Sequence, residues 1–532
     1  MLWVALHFPL LSLESFVATL LAADASEASA EPAIALVDEH RISAANAAAQ
    51  AQGVKPGLKR ATALALAPRL TLGQADPARD AEAMLPLAHA ALAFTPQVSL
   101  QPAREPGAAA DTVLLEVQAS LRYFGGIDRL LQRLLQAMAP LGHTVRIATA
   151  TTAQGAAILA RVVPPPRCLN LASTQQAVAA APVWLLGPGR EHWEALQGMG
   201  LRQVGDLLGL PRAGLARRFG ETLLAEIDAA FGRRPDPREA LVPPRLFESR
   251  LELFARADST EQVLHGASIL LARLVAWLAA QHAFVRRFRL LMHHETRWQQ
   301  GDRTPQATSL EIALAEPSRD SEHLLVLLRE RLGQVQLPAP TLEIALQAED
   351  IVKRAAPNSE LFPTRQSENE GLTRLIERLQ ARLGADRVQR LAGVEDHRPE
   401  RASRGQRADA SGRPARASPR GGGGARVTDT RVATASSSAA TVSYASHPVW
   451  LNPVAEPLAE RRSRPLLDGE PLSLLSGPER IEAGWWDAEL AERDYFIAEA
   501  ADGALVWIYR ARLPLSTSGA NESGWFLHGR FG

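Results

Sequence analysis

Leu2-Trp3-Val4-Ala5-Leu6-His7-Phe8 reads as a short buried strand, and the stretch from Leu10 to Leu21 has the length and apolar spacing of a helix packed on it. The chain therefore opens strand to helix. Ile34 to Val37 and Arg41 to Ser43 form a strand pair about the turn Asp38-Glu39-His40, and an Ala-rich helix from Ala44 to Gln52 stops at Gly53. Pro96 to Leu100 and Thr112 to Val117 make a second pair around a Gly/Ala/Pro loop. A helix over Ile127 to Ala139 and a strand over Thr144 to Ala148 follow. Strands and helices alternate irregularly in this way to about residue 162.

Pro164 to Arg167 is a proline-rich break, beyond which Val183 to Gly232 is helical with short glycine-containing turns. Within it, two short helices about Gly198-Met199-Gly200 have a helix-hairpin-helix pattern. Glycines of that kind let a backbone approach a phosphate, and the next helix offers its N-terminal amides to the anion. An ordinary helical hairpin fits the same residues. Strands at Phe247 to Phe254, Phe284 to His293, Ser309 to Leu314 and Thr341 to Ala348, with helices at about Thr260 to Gln281 and Arg319 to Leu332, give an α+β domain with one sheet face open. Gly371 to Leu391 reads as an amphipathic helix. Residues 400–446 are mostly Arg, Ser, Ala and Gly and read as a disordered linker. About 47 residues of such chain reach roughly 35–40 Å. Five of the 10 tryptophans (Trp450, Trp485, Trp486, Trp507, Trp525) follow it, so residues 447–532 read as a small β-rich C-terminal domain with an interaction surface.

Composition narrows the function. A length of 532 residues predicts several domains, since one core rarely serves more than about 100–200 residues. Lys+Arg and Asp+Glu balance at 58 each, so DNA or membrane binding must come from local patches. The single cysteine, Cys168, excludes an intramolecular disulfide framework and a cysteine zinc site. The first 23 residues lack the positive n-region of a secretory signal, and His7, Ser12 and Glu14 interrupt the apolar run. No other stretch approaches an uninterrupted membrane span. The expectation is a soluble, cytoplasmic protein with no membrane partner.

In this order the first 350 residues resemble the Y-family translesion DNA polymerases. Ser120-Leu121-Arg122-Tyr123-Phe124-Gly125-Gly126, Leu475 to Trp486, Arg493-Asp494-Tyr495-Phe496, Val506 to Arg510 and the terminal Trp525 to Gly532 extend the resemblance over nearly the whole chain, to the ImuB family of catalytically inactive Y-family relatives in the bacterial mutasome. The resemblance implies an α+β multidomain fold: palm and fingers over 1–162 (fingers about 29–75), a helix-hairpin-helix thumb over 163–240 and a little finger over 246–354. A clamp-motif segment and helix (355–399), the linker (400–446) and the C-terminal interaction domain (447–532) complete it.

Nucleotidyl transfer needs carboxylates that hold two divalent metals. Against the family's motifs, Ala5 and His7 take the two strand positions and Leu10 the steric gate, while Asp111 keeps the first carboxylate of the second motif and Thr112 replaces the next. Asn46 to Gln50 replaces the fingers Tyr and Arg, and Ala148 to Ala153 offers no phosphate-clamping cation. Glu14 and Glu116 read as helix-surface and strand-edge residues. His7 as a lone ligand and His293-His294-Glu295, whose neighbours point to opposite strand faces, read as core rather than metal sites. No cofactor, metal or catalytic residue is expected. The alternative is an active but divergent Y-family lesion-bypass polymerase.

What the resemblance leaves is DNA binding without catalysis. Gly198 and Gly200 fall where hairpin phosphate contacts would lie. Arg217 and Arg218 fit either phosphate contacts or a solvated helix face, and Arg286, Arg287 and Arg289 fit a little-finger strand tracking the duplex; such contacts are salt-sensitive and non-specific. Asn358-Ser359-Glu360-Leu361-Phe362 resembles a sliding-clamp peptide with Leu361 and Phe362 as anchors; the same two side chains could instead pin the segment to the body. Gln336 to Pro340 is a second, weaker match. The ImuB resemblance further implies a RecA-like ImuA protein and a DnaE-type error-prone polymerase as partners of the tail, in SOS-type damage-induced mutagenesis. The arginines at 401, 404, 407, 413, 416 and 420 either add DNA affinity or keep the linker solvated.

Overall fold

In a computed structural model the opening strand β1 (Trp3–His7) lies inside a palm sheet, and its period-two alternation sorts the packing on either side. The structure describes residues 1–20, 32–103, 108–295, 306–353, 365–408, 447–448, 450–487, 489–512 and 524–531. They form two units, one from Met1 to Arg382 and one that begins at Leu383 and takes in the C-terminal sheet.

In the first unit α1 (Leu11–Val17) follows β1. The fingers then build a three-stranded sheet from β2 (Ile34–Asp38), β3 (Arg41–Ala45) and β4 (Thr71–Gln74), with α2 (Ala47–Ala51) and α3 (Arg60–Leu66) against it. The Asn46 side chain caps α2 by accepting from the Ala49 amide at 2.9 Å. Back in the palm come α4 (Pro77–Leu92), β5 (Val98–Leu100), β6 (Thr112–Glu116), α5 (Leu121–Phe124), α6 (Ile127–Met138), β7 (Arg146–Ala150) and α7 (Ala153–Leu159). The sheet order is β5-β6-β1-β7, antiparallel throughout, with Ala5 opposite Leu114 and His7 opposite Thr112. Val4, Leu6, Val113 and Leu115 pack on α4 and α6. The small side chains of Ala5, Ala148 and Ala150 face α7 and the thumb, which lets the Ala-rich α7 lie close.

The thumb is helical from α8 (Leu171–Ala180) through α9 (Gly187–Glu191), α10 (Trp193–Gly198), α11 (Val204–Leu208), α12 (Arg212–Phe219) and α13 (Glu221–Ala230). The little finger is β8 (Phe247–Ala257), α14 (Thr260–Ala280), β9 (Ala283–His294), β10 (Ala307–Ser318), α15 (Ser321–Leu332) and β11 (Thr341–Lys353), in sheet order β10-β9-β11-β8. Its four strands and two helices fall where the sequence places them, each strand running longer. Among the described residues α14 alone is long and apolar enough to cross a membrane. Here it is a core helix: Leu270, Leu271, Leu274 and Trp277 pack on the sheet, and the Trp277 indole donates to the Pro244 carbonyl at 3.0 Å.

Three readings need correction. The strand expected at Thr144 to Ala148 runs Arg146–Ala150, because Thr144 is held by the Glu14 carboxylate through its amide and hydroxyl. The helix expected over Gly371 to Leu391 is α16 (Arg365–Leu383), and β12 (Gln389–Gly393) follows it as a strand. Buried Glu377 docks α16 on the little finger, accepting from the Ala315 amide at 2.6 Å and from His323 at 2.8 Å.

The third correction concerns the linker. Residues 400–408 belong to the second unit: β13 (Ser403–Arg407) pairs with β12, and Glu400 accepts from Arg493 at 3.0 Å. Arg398, just before, is fully buried and donates to Asp487 at 2.6 Å and to Asp396 at 2.7 Å. Arg401 pairs with Asp487 and Glu489. Arg401, one of the six arginines of the expected linker, is thus bound to carboxylates nearly ninety residues further along, as is Arg398 just before it. Residues 409–446 lie outside the described residues.

The rest of the second unit is a half-barrel sheet of β14 (Trp450–Arg461), β15 (Arg464–Leu467), β16 (Glu470–Pro471), β17 (Ser473–Ala483), β18 (Ala491–Glu499), β19 (Leu505–Ala511) and β20 (Trp525–Arg530), in order β16-β15-β14-β20-β19-β18-β17. One face buries Leu458, Val506, Ile508, Trp525 and Leu527. The other buries Tyr495, Trp507 and Tyr509, with Tyr495 stacked on Trp507 at 4.0 Å. The Tyr495 hydroxyl and His528 Nδ1 are hydrogen-bonded at 2.8 Å.

Candidate nucleic-acid interface and the palm centre

β1 and β6 bring His7, Asp111 and Thr112 together on the thumb-facing side of the palm sheet. His7 Nδ1 lies 3.2 Å from Thr112 Oγ1 and 3.3 Å from the Asp111 carbonyl, and the Thr112 hydroxyl donates to Asp111 Oδ1 at 2.9 Å. Arg161, two residues past the end of α7, pairs with the same carboxylate; its side chain is 7% exposed. Its other nitrogen donates to the Ala157 carbonyl at 2.9 Å. Ala5 is completely buried and contributes no donor atom.

Burial pushes the His7 imidazole down to about 4, with Arg161 and Arg146 adding to the effect and Asp111 opposing it. Although His7 Nδ1 stands 3.6 Å from Asp111 Oδ2, at neutral pH this is a contact with a neutral ring rather than an ion pair. The counter-charge of Asp111 is Arg161. Burial also draws the Arg161 guanidinium down, against the pull of Asp111, and an arginine so placed remains charged.

This donor set does not fit two divalent metals. Ala5 has no ligand atom, Thr112 offers a hydroxyl where a carboxylate is needed, and a metal at Asp111 would meet the Arg161 guanidinium. Glu14 and Glu116 do not rebuild the site. Glu14 accepts from the Thr144 hydroxyl at 2.6 Å and contacts His143; those bonds outweigh its burial and hold it below the usual carboxylate range. The helix-surface residue expected at Glu14 is thus an anchor for the residues just before β7. Glu116 stands at the end of a central strand rather than at a sheet edge and accepts from the Leu2 amide at 3.3 Å. His294 is buried between Thr308 and Thr341, so the adjacent His293 and Glu295 gather no ligand set with it. Arg161 escaped the sequence reading; the available signal was one arginine closing the uncharged stretch 147–160.

In the thumb, α10 and α11 form the expected hairpin. Gly200 has φ 79°, a conformation that favours glycine, and no atom lies within 4 Å of a side chain at Gly198 or Gly200. The backbone there is open to approach. The amides of Arg202 and Gln203, however, both donate at 2.9 Å to Asp206, and these bonds hold its carboxylate below the usual range. An internal anion thus occupies the start of α11, and phosphate access is confined to the glycine turn. Arg217 and Arg218 are exposed in the last turn of α12, where the helix dipole favours cations; Arg218 lies 5.5 Å from the Phe219 ring centroid.

In the little finger, Arg286, Arg287 and Arg289 are all exposed on β9. Arg287 and Arg289 flank Glu311 of β10 at 3.3 and 3.5 Å. Exposed pairs of this kind are worth about 0–1 kcal/mol and yield readily to another anion. The same sheet carries exposed Glu248, Arg250, Glu252 and Arg256 on β8, so it presents mixed charge and not a basic stripe. The clamp-like residues Asn358, Ser359, Glu360, Leu361 and Phe362 lie outside the described residues.

No family model matches the chain. Protein ImuB from each of two strains of Caulobacter vibrioides is 28% identical over 492 residues, covering 90% of this chain and 100% of the relative. Among solved structures, an insertion ternary complex of Dbh DNA polymerase is 15% identical with a TM-score of 0.37, covering 66% of this chain and 100% of that one. DinB from Sulfolobus solfataricus is 14% identical with a TM-score of 0.34 over the same shares. With an alignment that covers 90% of this chain and the full length of the Caulobacter proteins, the chain is similar throughout to ImuB, a β-rich C-terminal unit included.

Proposed function

We propose that this chain is a non-catalytic, DNA-binding adaptor of translesion synthesis and damage-induced mutagenesis. The observation that carries the reading is the palm centre: Ala5, neutral His7 and Thr112 stand at the acidic positions, and Arg161 answers the one carboxylate that remains. A two-metal transfer has no ligand set there. The body holds primed DNA through the thumb turn at Gly198 and Gly200 and the arginines of α12 and β9. Asn358 to Phe362 engages a sliding clamp, and the C-terminal unit recruits a DnaE-type error-prone polymerase and a RecA-like ImuA protein, in the cytoplasm and within an SOS-type response. Several weak contacts suffice for such a role, since tethering supplies effective concentrations of about millimolar.

The test is primer extension by the purified protein with all four deoxynucleotides and Mg²⁺ or Mn²⁺, after a gel shift shows the primed DNA bound. Bound but unextended DNA is the expected result. Extension that follows this polypeptide through repurification contradicts the proposal and favours a divergent polymerase.

A further inference from the structure

Of the three tyrosines among the described residues, Tyr495 and Tyr509 are buried and Tyr123 is 84% exposed. Tyr123 stands in α5, before the helix that packs Leu130, Leu131, Leu134 and Met138 on the sheet face opposite His7 and Asp111. Its ring is held, not dangling. It meets Phe124 edge-on at 4.9 Å, Phe124 lies 5.2 Å from Phe94, and the Ser120 hydroxyl donates to the Phe94 carbonyl at 2.8 Å. Gly125 and Gly126, with φ of 75° and 108°, then turn the chain into α6.

Arginines converge on this pedestal. The Arg133 guanidinium is 5.8 Å from the Phe124 centroid, and Arg129 lies over the turn, 3.1 Å from where a side chain on Gly125 would begin. Arg122 is exposed beside Tyr123. Among the described residues none of the three has a carboxylate partner, and the nearby Asp128 pairs with Arg167 at 3.2 Å. A large aromatic ring left mostly exposed, in a segment with three exposed arginines that have no carboxylate partner among the described residues, suits a partner that is both flat and anionic.

We propose that this face is a second nucleic-acid site, a stacking platform for single-stranded nucleic acid. One base lies on Tyr123 and the flanking phosphates meet Arg122, Arg129 and Arg133. An acidic peptide would satisfy the arginines but leave Tyr123 without a stacking partner. The site goes beyond the adaptor reading and stands whether or not the palm is silent or the partners bind, because it uses the opposite side of the sheet.

The test compares the full-length protein with its Tyr123→Ala, Tyr123→Phe and Arg129→Glu/Arg133→Glu variants by fluorescence anisotropy, on labelled oligothymidylate and on a blunt duplex. Tyr123→Ala and the charge reversal weaken oligothymidylate binding by about tenfold, Tyr123→Phe stays within about twofold, and duplex affinity is unchanged. Photocrosslinking with 5-bromodeoxyuridine marks the tryptic peptide Tyr123 to Arg129. Unchanged oligothymidylate affinity in Tyr123→Ala, equal losses on both DNAs, or crosslinks confined to other peptides would overturn the proposal. Displacement of oligothymidylate by oligoglutamate at lower concentration than by unlabelled oligothymidylate would assign the face to an acidic peptide and overturn it as well.

Discussion

Arg161 in the palm and Arg398 ahead of the C-terminal sheet are both nearly withdrawn from solvent, with side chains 7% and 3% exposed, and both answer an aspartate. Their effects differ. Arg161 takes up the carboxylate that a two-metal centre would need, beside a sheet whose strand order and register are set by its own backbone pairing. Arg398 joins a segment to a sheet that begins about fifty residues later in sequence, and there the pairing itself is the architecture. The same chemistry, a guanidinium fixed on carboxylates, neutralises a lone aspartate in one place and joins a segment to a sheet in the other.

The largest effect is expected at the second arginine. Arg398→Ala leaves Asp487 and Asp396 without their bidentate partner, so residues 394–401 lose amide-exchange protection altogether and trypsin cuts at Arg401. A C-terminal fragment starting at His447 melts below one starting at Leu383 for the same reason. Persistence of the protected segment in Arg398→Ala would break the comparison at that end.

Acid comes next. His7 is neutral when folded, its imidazole lowered from 6.5 to about 4, so its contribution is complete above pH 6.5 and is lost as the pH falls toward 4. The loss is on the order of 3 kcal/mol, and His7→Asn flattens that part of the curve. Thermal melts of both proteins between pH 7 and 4 measure it.

Arg161→Met should cost about 1–3 kcal/mol, below the ~3–5 kcal/mol of a fully buried pair because Asp111 is 38% exposed. Adding Asp111→Asn recovers most of that cost, since no charge is then left unanswered; denaturant melts of the single and double variants provide the check. The smallest effect is in the little finger. Arg287→Ala with Arg289→Ala weakens duplex binding a few-fold, and the salt slope falls by less than the roughly 1.8 of two full phosphate contacts, because Glu311 already shares both charges.

Local patterning gave the fingers hairpin, the four little-finger strands and the C-terminal β-rich unit, because each is set by alternation and turn residues within a short window. Ala5, His7 and Thr112 could be set against the acidic positions only through the resemblance to the family's motifs. Arg161 and the segment at Arg398 could not be read in either way. Each acts through a pairing whose geometry depends on packing, and in the cases of Arg161 and Arg398 the partner lies 50 or 89 positions away. Composition made Arg401 look like part of an open linker because its acids, Asp487 and Glu489, belong to another stretch of chain.

The central claim is that Arg161 and the missing carboxylates leave the palm unable to hold metal. Titration of Mn²⁺ by electron paramagnetic resonance, with the full-length protein on primed DNA and a non-transferable deoxynucleotide, tests it most directly. The account predicts no stoichiometric Mn²⁺ beyond that carried by the nucleotide, and no change in Asp111→Ala. Tight Mn²⁺ binding that Asp111→Ala abolishes would contradict it.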